Sequence, residues 1–168
     1  MLIYFDTEFT ELGIDPRLIS IGLVSEDETR TFYAELSGTC QPSDCSDFVR
    51  EAVLVHLEGG QSRMDMHELT LRLGNWLESF AQPVQLATDS LSWDWPWIQE
   101  IFSIPGTWPE NVEGRPLILS QTPAFNLAIE EAFATGLRRH HSLDDAKANR
   151  LGRLAQEKDN EAVWGGVP

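Results

Sequence analysis

Residues 2–9, Leu2-Ile3-Tyr4-Phe5-Asp6-Thr7-Glu8-Phe9, form an apolar and aromatic run that contains two acids. Its composition predicts a β-strand, and in a strand the side chains of residues i and i+2 point to the same face. Asp6 and Glu8 would therefore project side by side from an otherwise apolar element. Burying a charge is costly unless an opposite charge meets it, and hard divalent cations prefer oxygen ligands. The pair predicts a metal site to which further acids contribute.

The rest of the chain predicts an α/β fold, built as one domain over residues 1–168. The expected strands span residues 2–9, 18–24, 29–36, 84–88 and 116–119, and the expected helices span 46–57, 65–81 and 123–136, with others after Ser92 and up to about residue 157. Short connections make the first three strands an antiparallel meander, and helical excursions allow the later strands to lie parallel to the first. This order implies one mixed five-stranded sheet with an antiparallel second strand and helices on both faces. The last residues, from Trp164 to Pro168, are expected to be loosely ordered.

The charge balance limits the expected partners. The formal net charge is −15, which argues against broad binding to long nucleic acids. Half of the twelve Lys and Arg residues lie between Arg138 and Lys158, where they could attract a short strand. No apolar run approaches the roughly 20 residues of a membrane span, so a cytoplasmic protein is expected.

Two further acids follow the fourth predicted strand. Asp94, flanked by Trp93 and Trp95, is either a metal ligand or the N-cap of the next helix. Asp89 lies nearer to the end of the strand and competes with Asp94 for the ligand role. Core packing explains at least two of the three tryptophans at 93, 95 and 97 better than base stacking does.

A histidine and an aspartate are set five residues apart near the last predicted helix. His140 precedes Asp145 by this interval, and no other histidine in the chain has an aspartate at the same spacing. Taken alone, His140 could be a surface imidazole, and Asp145 could be an acid that stabilises a helix N-terminus. Their occurrence together with the upstream acids favours an active site. Spacing alone selects His140 over His141.

In order, three segments of the chain resemble the three motifs of the DEDDh 3′–5′ exonucleases: Phe5-Asp6-Thr7-Glu8-Phe9, Asp89-Ser90-Leu91-Ser92-Trp93-Asp94-Trp95 and His140-His141-Ser142-Leu143-Asp144-Asp145-Ala146. This family includes oligoribonuclease, ribonuclease T and the proofreading subunits of DNA polymerases. The resemblance spans residues 2 to about 155 and implies a ribonuclease H-like fold. It also implies four metal ligands and a general base: Asp6, Glu8, Asp94 and Asp145 as the ligands, with His140 as the base.

The same resemblance implies an activity. Two Mg²⁺ or Mn²⁺ ions would bridge the carboxylates and the scissile phosphate. A histidine with an ordinary pKa of about 6.5 accepts a proton from water near neutral pH. We therefore expect hydrolysis at single-stranded 3′ ends that releases nucleoside 5′-monophosphates, with RNA favoured over DNA. Thr7, Phe9, Trp93 and Arg139 are predicted to contact the substrate.

Two other functions stay open at the level of the sequence. One is a DNA exonuclease of the proofreading type, because discrimination between RNA and DNA depends on a pocket for the 2′-hydroxyl group. The other is a non-catalytic domain of the same fold that binds RNA ends or a protein. The likeness to ribonuclease T and oligoribonuclease also makes a homodimer one expected arrangement.

Overall fold

The computed structural model describes residues 1–164, with side chains up to residue 162. Its sheet contains six strands: β1 (Leu2–Phe9), β2 (Leu18–Ser25), β3 (Thr31–Leu36), β4 (Arg63–Met64), β5 (Gln85–Thr88) and β6 (Leu117–Ile118). Their order across the sheet is β4-β3-β2-β1-β5-β6. β2 is antiparallel to both β1 and β3, whereas β5 is parallel to β1. The predicted meander, the antiparallel second strand and the mixed α/β sheet are confirmed.

The prediction of five strands was wrong by one. The additional strand, β4, is two residues long and pairs in parallel with Glu35 and Leu36 of β3. It lies between a 3₁₀ turn at Gly60–Ser62 and the next helix. Two residues are too few to leave an alternating pattern in the sequence, so only tertiary pairing reveals this strand.

In the described part of the chain, five α-helices accompany the sheet: α1 (Asp47–Ala52), α2 (Met66–Glu78), α3 (Leu91–Ile101), α4 (Pro123–Ala134) and α5 (Ser142–Trp164). The first helix is shorter than predicted because the chain tightens into a 3₁₀ turn at Leu54–His56. The last helix is longer than predicted and runs to Trp164 rather than to about residue 157. The rest of the tail, residues 165–168, which was expected to be loosely ordered, lies outside the described residues. Within residues 1–164, no helix is long and apolar enough to cross a membrane.

Helices cover both faces of the sheet, as predicted. Along β1, Phe5 enters a core shared with α2 and α3, whereas Tyr4 enters a second core shared with α4 and α5. Because side chains alternate along a strand, Asp6 and Glu8 share the face of Tyr4, and Thr7 shares the face of Phe5. β1 therefore directs two acids toward α5 and a threonine toward α3.

The first turn of α5 rests directly on β2. Gly22 of β2 pairs with Asp6 of β1, and a Cβ atom built on Gly22 would lie only 2.1 Å from the backbone nitrogen of Leu143. Nearby, the hydroxyl groups of Ser20 and Ser142 are 3.1 Å apart. Only glycine leaves room for this approach, because any side chain at position 22 would collide with helix backbone. The contact brings the acids of the first turn of α5 close to those of β1.

Candidate active site

One open cavity of about 410 Å³ lies at the carboxyl ends of β1 and β5. It is lined by all of the residues predicted for the site: Asp6, Thr7, Glu8, Phe9, Trp93, Asp94, Arg139, His140 and Asp145. These residues come from β1, from the first turn of α3, and from the start of α5 with the segment before it. The three segments are far apart in the chain, so their meeting is a property of the tertiary fold.

The titratable side chains of the cavity fall into two neighbouring groups. In each group the potential ligand atoms lie within 4.8 Å of one another: Glu8 with His140 and Asp145, and Asp6 with Asp89 and Asp94. Oxygen donors of this kind suit Mg²⁺ or Mn²⁺. Among the described residues, no Lys or Arg forms an ion pair with any of these carboxylates.

Burial and mutual repulsion raise the pKa of the acids in the cavity. Burial, followed by the charges of Asp145 and Asp94, raises the pKa of Glu8 to about 9. Burial is also the main reason that the pKa of Asp145 rises to about 7 and that of Asp94 to about 6. The pKa of Asp6 is raised well above its ordinary value by burial, then by Asp94 and Asp145. A divalent cation would favour the charged forms, so this donor set fits such an ion.

Asp94 does not cap α3, which was the alternative to a ligand role. Its side chain is buried, and its two oxygens accept hydrogen bonds from the hydroxyl groups of Thr7 (2.6 Å) and Thr88 (2.5 Å). Ser90 occupies the N-cap position, and its side chain makes no capping hydrogen bond. The two threonines hold the carboxylate in one orientation. The hydroxyl group of Thr7, a residue predicted to contact the substrate, donates to Asp94.

Asp89 also belongs to the cavity. Its oxygens accept hydrogen bonds from the side-chain amides of Asn149 (2.8 Å) and Gln121 (3.2 Å). Asp89 and Asp94 both approach Asp6, so the two acids that compete in the sequence lie together in the structure. The cavity therefore contains one more carboxylate than the four that the resemblance implies.

His140 is the histidine that faces the cavity. Its backbone has a φ of +64°, an uncommon conformation for a residue other than glycine and one that clusters at functional sites. The rings of Phe48 and His140 form a T-shaped contact, with ring centroids 4.9 Å apart. Burial, and next the positive charge of Arg139, lowers the pKa of His140. The imidazole is therefore neutral near pH 7 and able to accept a proton.

His141 belongs to a different group of side chains. It is buried, stacks on Tyr33 with ring centroids 4.5 Å apart, and accepts a hydrogen bond at Nδ1 from the backbone N–H of Asp144. Its Nε2 lies 3.4 Å from Oε1 of Glu58. We name the surrounding residues the Arg138 cluster: Glu35, Glu58, Arg138, His141 and Asp144. The different surroundings of the two histidines separate them where spacing in the sequence does not.

The aromatic residues around the cavity divide between core and surface. Trp93 is 41% exposed and stacks on Phe9, with ring centroids 5.8 Å apart. Trp97 is buried, and the ring of Trp95 meets that of Trp108 edge to face. Core packing therefore accounts for two of the three tryptophans of α3, as predicted, and Trp93 alone offers its ring to a ligand.

Acids of the same chain already neutralise most of the basic residues near the last helix. Five of the six form ion pairs: Arg138 with Asp144 and Glu58, Arg139 with Glu130, Lys147 with Asp144, Arg150 with Glu28, and Arg153 with Glu157. Arg139 also lies over the ring of Phe133, 4.2 Å from its centroid. The free positive charge near the cavity is smaller than the sequence suggests.

Sequence reasoning missed residues that position the predicted ones. Gly22 left a recognisable signal, because an isolated glycine in a buried strand marks a close approach of another backbone. Thr88 and Asn149 gave no signal in the sequence, because the acid that each contacts depends on how distant segments meet. No family model matches the sequence, and no curated protein matches it at a significant level.

Proposed function

We propose that this chain is a metal-dependent 3′–5′ exonuclease of the DEDDh type that acts on single-stranded 3′ ends, with RNA favoured. The observation that carries the proposal is the meeting of the four acids and the histidine of the three motifs around one open cavity. The order of the strands, with an antiparallel β2 on one side of β1 and a parallel β5 on the other, supports a ribonuclease H-like fold. A cytoplasmic location and a homodimer remain parts of this proposal.

The donor set suits a pair of divalent cations. Asp6, Glu8, Asp94 and Asp145 would hold them, and Asp89 lies beside Asp6 as a further oxygen donor. When bound, Mg²⁺ or Mn²⁺ lowers the pKa of a coordinated water and stabilises negative charge on the phosphate. The division of the side chains into two neighbouring groups is what favours two ions over one.

His140 would act as the general base. One of its ring nitrogens lies within 4.8 Å of carboxylate oxygens of Glu8 and Asp145, so a water held by these acids is within reach of the imidazole. The water oxygen forms a bond to phosphorus, one of its protons passes to His140, and the bond to the 3′ oxygen of the preceding nucleotide breaks. That oxygen takes a proton from solvent and leaves as a hydroxyl group. The product is a nucleoside 5′-monophosphate and a strand shortened by one.

The charge distribution favours a short single strand as the substrate. Long duplexes need many phosphate contacts, and a net charge of −15 with most nearby cations already paired offers few. A strand that enters by its end needs fewer, and stacking on aromatic rings such as Trp93 and Phe9 can replace some of them. Arg139 lines the cavity and can exchange its exposed partner Glu130 for a phosphate.

The direct test is the digestion of a 5′-labelled single-stranded RNA with Mg²⁺ or Mn²⁺, beside DNA of the same sequence and an EDTA control. We expect stepwise shortening from the 3′ end, release of 5′-monophosphates, and faster digestion of RNA. Asp159→Asn is the matched control for Asp6→Asn, because Asp159 belongs to a second Asp-x-Glu sequence that is exposed on α5. No shortening of either polymer with either metal would refute the proposal. Faster digestion of DNA would favour the proofreading type, and tight binding without turnover would favour the non-catalytic domain.

A further inference from the structure

A second pocket, of about 270 Å³, adjoins the acidic cavity and shares Trp93 with it. We name it the Trp93 pocket, and its other lining residues are Pro16, Ser92, Pro96, Trp97 and Glu100. We infer that it receives the base of the second nucleotide from the 3′ end of the substrate strand. This inference rests on the proposed function, and it extends the substrate contact predicted for Trp93 to a pocket for a second base.

The walls of the Trp93 pocket suit a flat, apolar ring. Trp93 and Pro96 are exposed on α3, Trp97 is buried beside them, and Pro16 comes from the connection between β1 and β2. Indole rings give nucleobases a surface for stacking that tolerates any base. A site for a strand of varying sequence needs this tolerance.

Trp93 is held in place by the packing beneath it. The ring of Phe9 stacks on Trp93 at an interplanar angle of 19°, and Phe9 also contacts Trp97, with ring centroids 6.2 Å apart. Trp93 and Trp97 are four residues apart on α3, so their rings lie on the same side of the helix. The platform is therefore supported before any base arrives, which reduces the conformational entropy lost on binding.

The charges of the Trp93 pocket select a base rather than a phosphate. Glu100 is the charged residue among the side chains that line it, and no Lys, Arg or His belongs to this lining. A carboxylate repels phosphate but can accept a hydrogen bond from the amino group of a base. The hydroxyl group of Ser92 can donate or accept in the same way.

The order of the nucleotides follows from how two pockets adjoin the acidic cavity. Another apolar pocket, which contains Phe48, shares Glu8, Phe9 and Leu12 with the acidic cavity and so borders the position of the terminal nucleotide. The reacting phosphate joins the terminal nucleotide to the second one, so the two bases lie on either side of it. The Trp93 pocket meets the cavity at Trp93 and shares no residue with the pocket that contains Phe48, so we place the second base there. The second base is the part of the strand that reaches it.

The test compares two substrates that differ in the second base. One is a trinucleotide, and the other is the ethyl ester of a nucleoside 5′-phosphate, which carries the terminal nucleotide and has no ring in place of the second base. Ser92→Trp fills the pocket from an exposed position of α3, and Gln99→Trp places the same ring at an exposed position of that helix outside the pocket. We expect the ratio of kcat/KM for the trinucleotide to that for the ester to fall about tenfold in Ser92→Trp. In Gln99→Trp the ratio should equal that of the wild type.

The outcomes separate this inference from the proposed function. An unchanged ratio in Ser92→Trp, with both substrates hydrolysed, overturns the subsite and leaves the exonuclease intact. Wild-type protein that hydrolyses neither substrate overturns the proposed function. In that case the subsite is tested by binding of a fluorescent trinucleotide in Mg²⁺. Its Kd must rise about tenfold in Ser92→Trp and stay unchanged in Gln99→Trp. If thermal unfolding shows that Ser92→Trp does not fold, Pro96→Glu replaces it, because it adds a second carboxylate to the pocket.

Discussion

The acidic cavity and the Arg138 cluster are neighbours that both contain several carboxylates, and they differ in how the charge is met. In the cluster, Nε of Arg138 lies 2.7 Å from Oδ2 of Asp144, and Glu35 accepts hydrogen bonds from the backbone N–H groups of Glu58 and Gly59. In the cavity, no Lys or Arg of the described residues pairs with the carboxylates that line it. Although burial opposes it, the hydrogen bonds from Arg138 lower the pKa of Asp144, whereas the pKa of Glu8 rises to about 9.

This difference separates carboxylates that stabilise the fold from carboxylates that are placed to bind a cation. A carboxylate that is paired with a cation and accepts hydrogen bonds from N–H groups stabilises the folded chain without a bound metal ion. Carboxylates that repel one another at short distance weaken the fold unless a cation from solution joins them.

Asp6→Asn should abolish metal-dependent hydrolysis, because it removes a charged oxygen from the centre of the cavity while preserving the shape of the side chain. The same change should raise the melting temperature of the metal-free protein, since one source of repulsion is gone. Asp144→Asn should do the reverse and lower the melting temperature, because it weakens the partner of Arg138 in the cluster. Nuclease assays and thermal unfolding of both variants measure this. Wild-type activity in Asp6→Asn would contradict the assignment.

His140→Ala should lower kcat by about 10²–10⁴-fold, the usual contribution of a general base, with little change in melting temperature. His141→Ala should act mainly on stability, because its ring is buried against Tyr33. Single-turnover rates and thermal unfolding of the two variants separate these effects. The opposite pattern, an inactive His141→Ala beside an active His140→Ala, would transfer the role of base to His141.

The metal-free protein should lose stability as the pH rises from about 4 to about 9. Asp94, Asp145 and Glu8 have pKa values of about 6, 7 and 9 in the folded state, above their unfolded values of about 4. The folded state therefore holds these protons more tightly, and the free energy of unfolding falls as they leave. Saturating Mg²⁺ should flatten this slope, because the cation stabilises the charged forms. Thermal unfolding at several pH values with EDTA or Mg²⁺ measures it, and a rise in stability across this range in EDTA would contradict the prediction.

Glu130→Gln should have the smallest effect, a fall in KM of about two- to threefold at low salt. The change frees the guanidinium group of Arg139 from its partner, and exposed ion pairs are worth at most about 1 kcal/mol. Glu157→Gln is the matched control, because it releases Arg153, which does not line the cavity. Steady-state kinetics at low and high salt measure the effect, which should vanish at high salt. An equal fall in KM in both variants would show that net charge, not Arg139, is responsible.

Local patterns predicted most of the fold because they act over short distances. The apolar run of β1 and the short connections on either side of β2 are enough to indicate the meander. The strand β4 escaped prediction because its two residues owe their extended form to pairing with β3. The division of helix α1 from the following 3₁₀ turn escaped for a similar reason, since no breaking residue marks it in the sequence.

The order of the acids along the chain and the side-by-side projection of Asp6 and Glu8 can be read from the residues alone. The alternation of a strand follows from backbone geometry alone. Three features require the folded chain: Asp89 joins Asp94 beside Asp6, His140 rather than His141 faces the cavity, and most nearby cations are already paired. These features are distances between segments that are remote in the chain, and no local pattern of residues encodes such distances.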